Sequence, residues 1–286
     1  MAGDKAPPGG LRIVSENNFP TAAGLASSAS GYACLVLALG KLFGVSEDLS
    51  SVARQGSGSA CRSVYGGFVK WEMGTAADGS DSRAYQVAKA EHWPELHALI
   101  CVVSDEKKKV SSTSGMGTSV KTSLMLAHRA KEVVPPRMKE MEAAIQGRDF
   151  EKFAEVTMRE SNSFHATCLD TYPPIFYLND TSRAIIYTIH ELNKAAGRAV
   201  AAYTFDAGPN AVVYVLEKDL TSVARALALA FPPPEGGKWE DHVPDAELLK
   251  AIKGGGDMTP DKDFAGKVKY IMHTTVGGDP TSLGPE

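Results

Sequence analysis

The spacing of apolar residues along the chain predicts a fold built from both helices and strands. Between residues 24 and 43, apolar side chains recur every third or fourth position, the pattern of a helix with one buried face. A second helix is predicted over 49–64. Four further helices are predicted later in the chain, over 137–147, 149–164, 179–196 and 219–230.

Short apolar or alternating runs predict the strands. They cover 11–14, 68–72, 96–103, 199–205, 211–216 and 268–276. Stretches rich in Ser, Thr, Gly, Pro or charged residues predict loops over 111–123, 232–242 and 254–266. A change of character near residue 95 predicts two domains, 11–95 and 96–286, each with helices and strands.

Length and charge narrow the class of protein. The 286 residues correspond to about two domains at roughly 150 residues each. With 30 basic and 34 acidic side chains the formal net charge is -4, which disfavours a dedicated nucleic-acid-binding protein. The short basic run at 107–109 is interpreted as a solvated loop. No window approaches the ~20 apolar residues of a membrane span.

The patterns of cysteine, histidine and serine residues argue against three further classes: disulfide-stabilised proteins, metal-binding proteins and serine hydrolases. The four cysteines lie far apart, which favours a reduced intracellular compartment, here the cytoplasm, over a disulfide framework. The seven histidines show no metal-binding spacing, so no protein metal ligand is predicted. His165 is interpreted as a structural histidine with its hydrogen bonds satisfied. The nucleophile motif G-x-S-x-G is missing, which disfavours a serine hydrolase.

Residues 20–31, which read PTAAGLASSASG, form the sharpest candidate site. Small residues before a helix let a ligand approach the backbone, and the free amides of the first helical turn favour an anion. Ser27 and Ser28 add hydroxyl donors. The alternative is a helix of small residues packed tightly against a sheet, and composition alone does not separate the two.

A second candidate lies within 55–63, where Gly56 and Gly58 interrupt the predicted helix. Each glycine costs roughly 1 kcal/mol relative to alanine in a helix, so close packing or close ligand approach is expected to compensate. Ser57, Ser59 and Arg62 can together bind a phosphate or carboxylate. The alternative is a close helix crossing with Arg62 on the surface.

Two weaker candidates follow in the second predicted domain. Asp206 ends an apolar strand and precedes Gly-Pro-Asn, so it belongs either to an ordinary turn or to a site at the strand end. Ser112 lies in the predicted polar loop and can supply a hydroxyl, although such a loop on its own is only polar surface.

Taken together, these segments resemble the GHMP superfamily of small-molecule kinases, and most closely its mevalonate diphosphate decarboxylases. The resemblance is carried by NNFPTAAGLASSASGYACL for the superfamily, and by GSGSACRS and TFDAGPNA for the decarboxylases. It implies an α+β fold in two domains, the second a ferredoxin-like α/β sandwich. Residues 1–19 do not match the family's first motif, so the N-terminal domain is expected to be incomplete.

The resemblance also implies roles for individual residues. Asp206 takes the position of the catalytic aspartate, and Arg62 that of the arginine at the substrate carboxylate. Ser57 and Ser59 take positions that bind the substrate diphosphate, and Ser112 that of a loop serine at the nucleotide and substrate side. The implied ATP loop comprises Ala23, Gly24, Leu25, Ala26, Ser27 and Ser28, with Ser28 at the ATP phosphates.

The implied reaction is the ATP- and Mg2+-dependent decarboxylation of mevalonate 5-diphosphate to isopentenyl diphosphate, in isoprenoid and sterol biosynthesis. A homodimer is implied as well. Two alternatives stay open: another kinase of the superfamily, such as a phosphomevalonate kinase, or an inactive short form. ADP formation without CO2 would indicate the kinase.

Overall fold

A computed structural model describes residues 10–19, 25–45, 47–106, 108–260 and 263–283. These residues form two compact units. Of the described residues, the first unit contains 10–19, 26–92 and 277–283, and the second contains Leu25 and 93–276. The observed division therefore falls close to the predicted boundary near residue 95, while the last described residues pack with the first unit.

The first unit combines three helices with one pair of strands. Its core residues are mostly alanines, among them Ala29, Ala33 and Ala53, so the helices pack closely. The strands pair antiparallel, with Trp71 opposite Ala84. The elements are α1 (Ser27–Leu42), α2 (Ser50–Gly56), α3 (Ala60–Ser63), β1 (Phe68–Trp71), β2 (Ala84–Ala88) and a 3-10 turn at Ala90–His92.

Two predictions for the first unit are wrong. Residues 11–14 form no strand, and Leu11, Ile13 and Val14 are 49%, 57% and 79% exposed. An apolar run needs a paired neighbour to become a strand, and the described residues supply none for it. The single helix over 49–64 is two helices, because Ser57 adopts an extended conformation between Gly56 and Gly58.

The second unit is built on a four-stranded antiparallel sheet with strand order β4-β5-β3-β6. Its strands are β3 (Leu96–Val102), β4 (Ala201–Phe205), β5 (Ala211–Leu216) and β6 (Tyr270–Thr275). Its helices are α4 (Ser112–Thr122), α5 (Leu124–His128), a π-helical turn (Arg129–Val133), α6 (Val134–Gly147), α7 (Phe150–Asp170), α8 (Asp180–Ala196), α9 (Glu217–Ala230), α10 (Trp239–His242) and α11 (Ala246–Gly254).

Alternation along the strands sets the buried face of this sheet. In β5, Ala211, Val213 and Val215 are fully buried, while the residues between them are half-buried. The buried face forms one core with apolar residues of α8, α9 and α11. Helix α7 covers the edge of β4, where the Ser161 hydroxyl accepts a hydrogen bond of 3.1 Å from the Phe205 amide.

The α+β fold class and the four strands of this sheet are confirmed, but some local predictions for the second unit are wrong. Most of the predicted loop over 111–123 is helix α4. The Ser111 hydroxyl caps that helix by accepting from the Ser114 amide, a strong start signal within a polar sequence. The predicted loop over 232–242 ends in the short helix α10. Strand β2 and helix α11 had no counterpart in the sequence prediction.

Candidate functional site

Two of the predicted anion-binding serines meet in the first unit. The Ser28 and Ser57 hydroxyl oxygens are 3.2 Å apart, Ser28 in the first turn of α1 and Ser57 in the extended break after α2. A helix start also directs backbone amides outward, and such amides together with the two hydroxyls form a set of donors suited to an anion. Ala23 and Gly24 of the predicted ATP loop lie outside the described residues.

The other two predicted residues of this unit, Ser59 and Arg62, lie at the start and within the single turn of α3. The Arg62 guanidinium is 5.8 Å from the centre of the Trp71 ring, a cation–π contact that orients the exposed arginine. Gly58 faces the same ring, and a Cβ at this position would lie 3.1 Å from it. Trp71 therefore supports the site, a role that sequence reasoning did not find.

Gly56 serves close packing. A Cβ built on it would lie 2.2 Å from the Tyr32 ring of α1, so only glycine fits under that ring. For Gly56 the interpretation of a close helix crossing is therefore confirmed. The neighbouring serines and Arg62 are still available to a ligand because they lie at helix ends or on the surface.

In the second unit, Asp206 follows β4 and is exposed. Its carboxylate accepts a 2.8 Å hydrogen bond from the Ala207 amide, and its carbonyl accepts one of 2.7 Å from Gly208. Buried Asn210 ties the same loop to the end of β3 by accepting from the Val103 amide at 2.7 Å. Asp206 thus belongs to a tight turn that also presents its carboxylate at the sheet edge. Sequence reasoning treated Asn210 only as a turn residue.

Lys108 is the most informative residue that sequence reasoning missed. Its ammonium group donates to the Ser112 hydroxyl at 2.8 Å and to the Ala207 carbonyl at 2.7 Å. It also lies 5.7 Å from the centre of the Tyr177 ring. Burial lowers the pKa of Lys108, and the nearby charge of Asp206 opposes that shift. The prediction of a solvated loop is wrong for Lys108, and Lys107 lies outside the described residues.

His165 is buried close to Asp206, on helix α7. Its ring packs edge-on against Phe164, Tyr177 and Phe205. Burial lowers the pKa of His165 to about 4, although the Phe205 backbone and the Asp206 charge oppose the shift. Within the described part of the chain the Nε2 atom finds no hydrogen-bond partner, so the prediction of a satisfied histidine is wrong at that atom.

Beside Asp206 the second unit contains a cavity of about 290 Å³. Helices α4 and α7, the start of the π-helical turn and the segment before α8 form its walls. Its lining consists of Ser112, Gly115, Met116, Ser119, Val120, Leu126, Arg129, Phe164, Thr167, Cys168, Ile175, Tyr177, Asp206 and Ala207.

Two kinds of feature are missing from the described residues: a cluster of metal ligands and a membrane-spanning helix. Among the described residues, no group of three or more His, Cys, Asp or Glu side chains is placed to hold a metal ion. No helix in the described ranges has the length and apolar character needed to cross a membrane.

A helix start with hydroxyl and amide donors in one unit, and an aspartate after β4 in the other, are features expected of an enzyme of the GHMP kinase type. Two family models match the chain: the mevalonate 5-diphosphate decarboxylase C-terminal domain over residues 98–283, and the diphosphomevalonate decarboxylase-like N-terminal domain over 5–84. The chain belongs to the diphosphomevalonate decarboxylase family.

Individual relatives agree with this assignment. The chain is 61% identical over 279 residues to diphosphomevalonate decarboxylase of Aspergillus fumigatus, covering 96% of this chain and 69% of that protein. The solved structure of mevalonate diphosphate decarboxylase from Trypanosoma brucei matches with a TM-score of 0.83 and 41% identity, over 94% of this chain and 72% of that one. A second solved structure, MDDEF in complex with MVAPP, AMPPCP and magnesium, matches with a TM-score of 0.66 and 35% identity, over 73% of this chain and 64% of that one.

Proposed function

We propose that this chain uses ATP to decarboxylate mevalonate 5-diphosphate, giving isopentenyl diphosphate, ADP, phosphate and CO2 in isoprenoid biosynthesis. One observation carries the proposal for this chain. Asp206 is held at the end of β4 in a turn whose next carbonyl, that of Ala207, is bonded to Lys108. Membership of the decarboxylase family supports the choice of substrate.

The first unit supplies the groups for the anionic end of the substrate. Ser57 and Ser59 donate to the diphosphate in this proposal, and Arg62 donates to the carboxylate. Charge-assisted hydrogen bonds of this kind are about twice as strong as neutral ones. Because Trp71 already orients the Arg62 guanidinium, less side-chain freedom is lost when the carboxylate binds.

Mg-ATP is the second substrate in this proposal. The amides at the start of α1 and the Ser28 hydroxyl hold its phosphates, together with Leu25, Ala26 and Ser27 of the described loop. Donors of this type fit a nucleotide phosphate because they offer several hydrogen bonds without a competing carboxylate. Magnesium, when bound with ATP, supplies positive charge to the transferring phosphoryl group.

The proposed reaction begins with phosphoryl transfer. The 3-hydroxyl oxygen takes the terminal phosphoryl group of ATP, its proton passes to solvent, and ADP is left. The C3–O bond then breaks and releases phosphate. Finally, the bond between C2 and the carboxylate breaks, its electron pair forms the double bond between C2 and C3, and CO2 leaves.

Asp206 orients the 3-hydroxyl and stabilises the positive charge that develops at C3. An ordinary ionised carboxylate is a weak base at neutral pH, so orientation and charge stabilisation are its larger contributions. Lys108 links Ser112 to the turn of Asp206, because its ammonium group donates to both the Ser112 hydroxyl and the Ala207 carbonyl. In this proposal Ser112 faces the nucleotide and the substrate. Most of the catalysis then comes from positioning, as phosphoryl transfer requires.

The choice of substrate distinguishes this function from that of a related kinase. The purified chain is assayed with Mg-ATP and either mevalonate 5-diphosphate or mevalonate 5-phosphate, with ADP and CO2 measured separately. Turnover of the diphosphate with CO2 release is expected. Turnover of the monophosphate alone, without CO2, would show a phosphomevalonate kinase instead, and no turnover of either would show an inactive chain.

We also retain a homodimer and a cytoplasmic location as proposals. The resemblance to the family supports the dimer, and the four thiols, all unpaired in the described structure, suit a reducing compartment. Light scattering on the purified chain tests the first, and cell fractionation tests the second.

A further inference from the structure

The cavity beside Asp206 presents an apolar surface although several polar residues line it. The Ser119 hydroxyl donates to the Gly115 carbonyl at 3.0 Å and lies 2.7 Å from that of Thr171, so its bonding is complete within the protein. The Thr167 hydroxyl donates to the Ser163 carbonyl at 3.1 Å. The surface left to a ligand therefore consists mainly of hydrocarbon and aromatic groups.

The charged group deepest in this wall is also engaged. Arg129 donates to the Glu160 carboxylate, and at 3.1 Å to the Ser163 hydroxyl. A second arginine, Arg137, donates to the other oxygen of Glu160 at 2.7 Å. Burial alone would raise the pKa of Glu160, but the hydrogen bonds and charges of the two arginines outweigh burial and lower that pKa. Glu160 is therefore ionised, and its carboxylate holds the Arg129 guanidinium.

Among the described residues that line the cavity, Asp206 is the one carboxylate, and it indicates which part of the substrate comes near. This step rests on the proposed function, in which Asp206 contacts the hydroxyl at C3. Carbon C3 carries four groups: that hydroxyl, a carboxymethyl chain, a chain ending in the diphosphate, and a methyl. Only the methyl is apolar, so only the methyl matches the cavity wall.

The size of the cavity exceeds what a methyl needs. A group of one carbon takes about 30 Å³, close to the share of one water molecule in the liquid. The cavity measures about 290 Å³. A pocket closed around a methyl rejects one additional methylene by roughly 10–200-fold, whereas a pocket with free apolar volume gains about fourfold in binding per methylene.

We propose that this cavity is the subsite for the alkyl substituent at C3 and that it admits substituents larger than methyl. The chain then also decarboxylates the 3-ethyl homologue of mevalonate 5-diphosphate. The γ-phosphoryl group goes to the 3-oxygen, phosphate and CO2 leave, and the product is 3-ethylbut-3-enyl diphosphate with ADP. Every bond change is that of the natural substrate, and the ethyl group is carried through unchanged.

The first test compares kcat/KM for mevalonate 5-diphosphate and its 3-ethyl homologue in the complete chain. A value for the homologue within tenfold of the natural substrate, or above it, is expected. A value more than tenfold lower would overturn the inference while leaving the proposed function intact. Failure to turn over the natural substrate would refute the proposed function itself.

The second test places a larger side chain at the cavity. Val120 lines it and is 74% exposed, so Val120→Trp narrows the cavity with little effect on folding. This variant is expected to lower kcat/KM for the ethyl homologue at least fivefold more than for the natural substrate.

Leu124 provides the matched control for that variant. It is 86% exposed, lies four residues further along and is not part of the lining. Leu124→Trp is expected to leave both values of kcat/KM unchanged. If Val120→Trp changes the two substrates by the same factor, or changes neither, the alkyl group does not occupy this cavity.

Discussion

At the scale of single residues, the surroundings of Asp206 determine how its carboxylate is presented. Lys108 lies on one side, bonded to the Ala207 carbonyl, and neutral His165 lies buried beneath the same turn. The ammonium group provides positive charge near the carboxylate, whereas the imidazole provides packing without charge. Substitutions at these two positions are therefore expected to affect different properties.

Lys108→Met is expected to lower kcat/KM at least tenfold. The change removes two hydrogen bonds from a charged donor, each worth roughly 1.5–3 kcal/mol, and frees the turn that carries Asp206. Steady-state kinetics measures the effect, and Lys108→Arg is expected to restore part of kcat. The adjacent exposed Lys109 gives the control, since Lys109→Met should behave as the parent chain. Equal kinetics for both methionine variants would refute the role of Lys108.

His165 is expected to make the protein less stable in acid. Its pKa is about 4 in the folded chain against 6.5 in a free side chain, so below pH 6.5 the unfolded state binds more protons. Above pH 6.5 the imidazole is neutral in both states and does not lower the free energy of unfolding. As the pH falls from 6.5 toward 4, protonation of the unfolded state lowers the free energy of unfolding by about 3 kcal/mol in total.

His165→Gln removes this titration and is expected to flatten the loss of stability between pH 7 and pH 4.5. Urea unfolding at several pH values measures the slope. His128 is exposed, so His128→Gln should keep the slope of the parent chain. An unchanged slope in His165→Gln would show that this imidazole is not buried in its neutral form.

At the scale of elements, the sequence predicted a helix or strand correctly where the spacing of its apolar residues matches the side chains that are buried. The strands β3 and β5 are apolar runs buried in the sheet, and both were predicted within a few residues. Helix α4 was missed because its residues are polar and its start depends on one capping bond, from the Ser114 amide to the Ser111 hydroxyl. Periodicity contains no information about such a bond.

The hairpin of β1 and β2 depends on one glycine. Gly67 has a φ of +71°, and a Cβ there would lie 2.3 Å from the Ala88 carbonyl oxygen. Gly67→Ala is expected to destabilise the chain by about 3 kcal/mol, from left-handed strain together with this backbone clash.

Gly79 separates the two contributions. It has nearly the same φ, +70°, but its nearest neighbour for a Cβ is 3.6 Å away, on Arg54. Gly79→Ala should therefore cost only the strain, about 1 kcal/mol. Urea unfolding measures the free energy of unfolding of both variants. Equal decreases in the two variants would show that the clash with the Ala88 carbonyl does not contribute to the destabilisation.

At the scale of the whole molecule, the sequence predicted more of the candidate site than of its supports. Asp206, Arg62 and the serines could be predicted as site residues because their motifs are local in the sequence. Lys108, Trp71 and Asn210 could not, because each acts through a contact with a residue outside its own motif. Asn210, for example, bonds to an amide 107 residues earlier in the chain.

In the proposed function, decarboxylation of mevalonate 5-diphosphate by this chain depends on Asp206. The most direct measurement follows CO2 and ADP from substrate labelled at the carboxylate, in the parent chain and in Asp206→Asn. One CO2 per ADP is expected from the parent. A fall in rate of about 10²–10⁴-fold is expected in the variant, with its circular dichroism unchanged. ADP without CO2 in the parent, or a parent-like rate in Asp206→Asn, would contradict the claim.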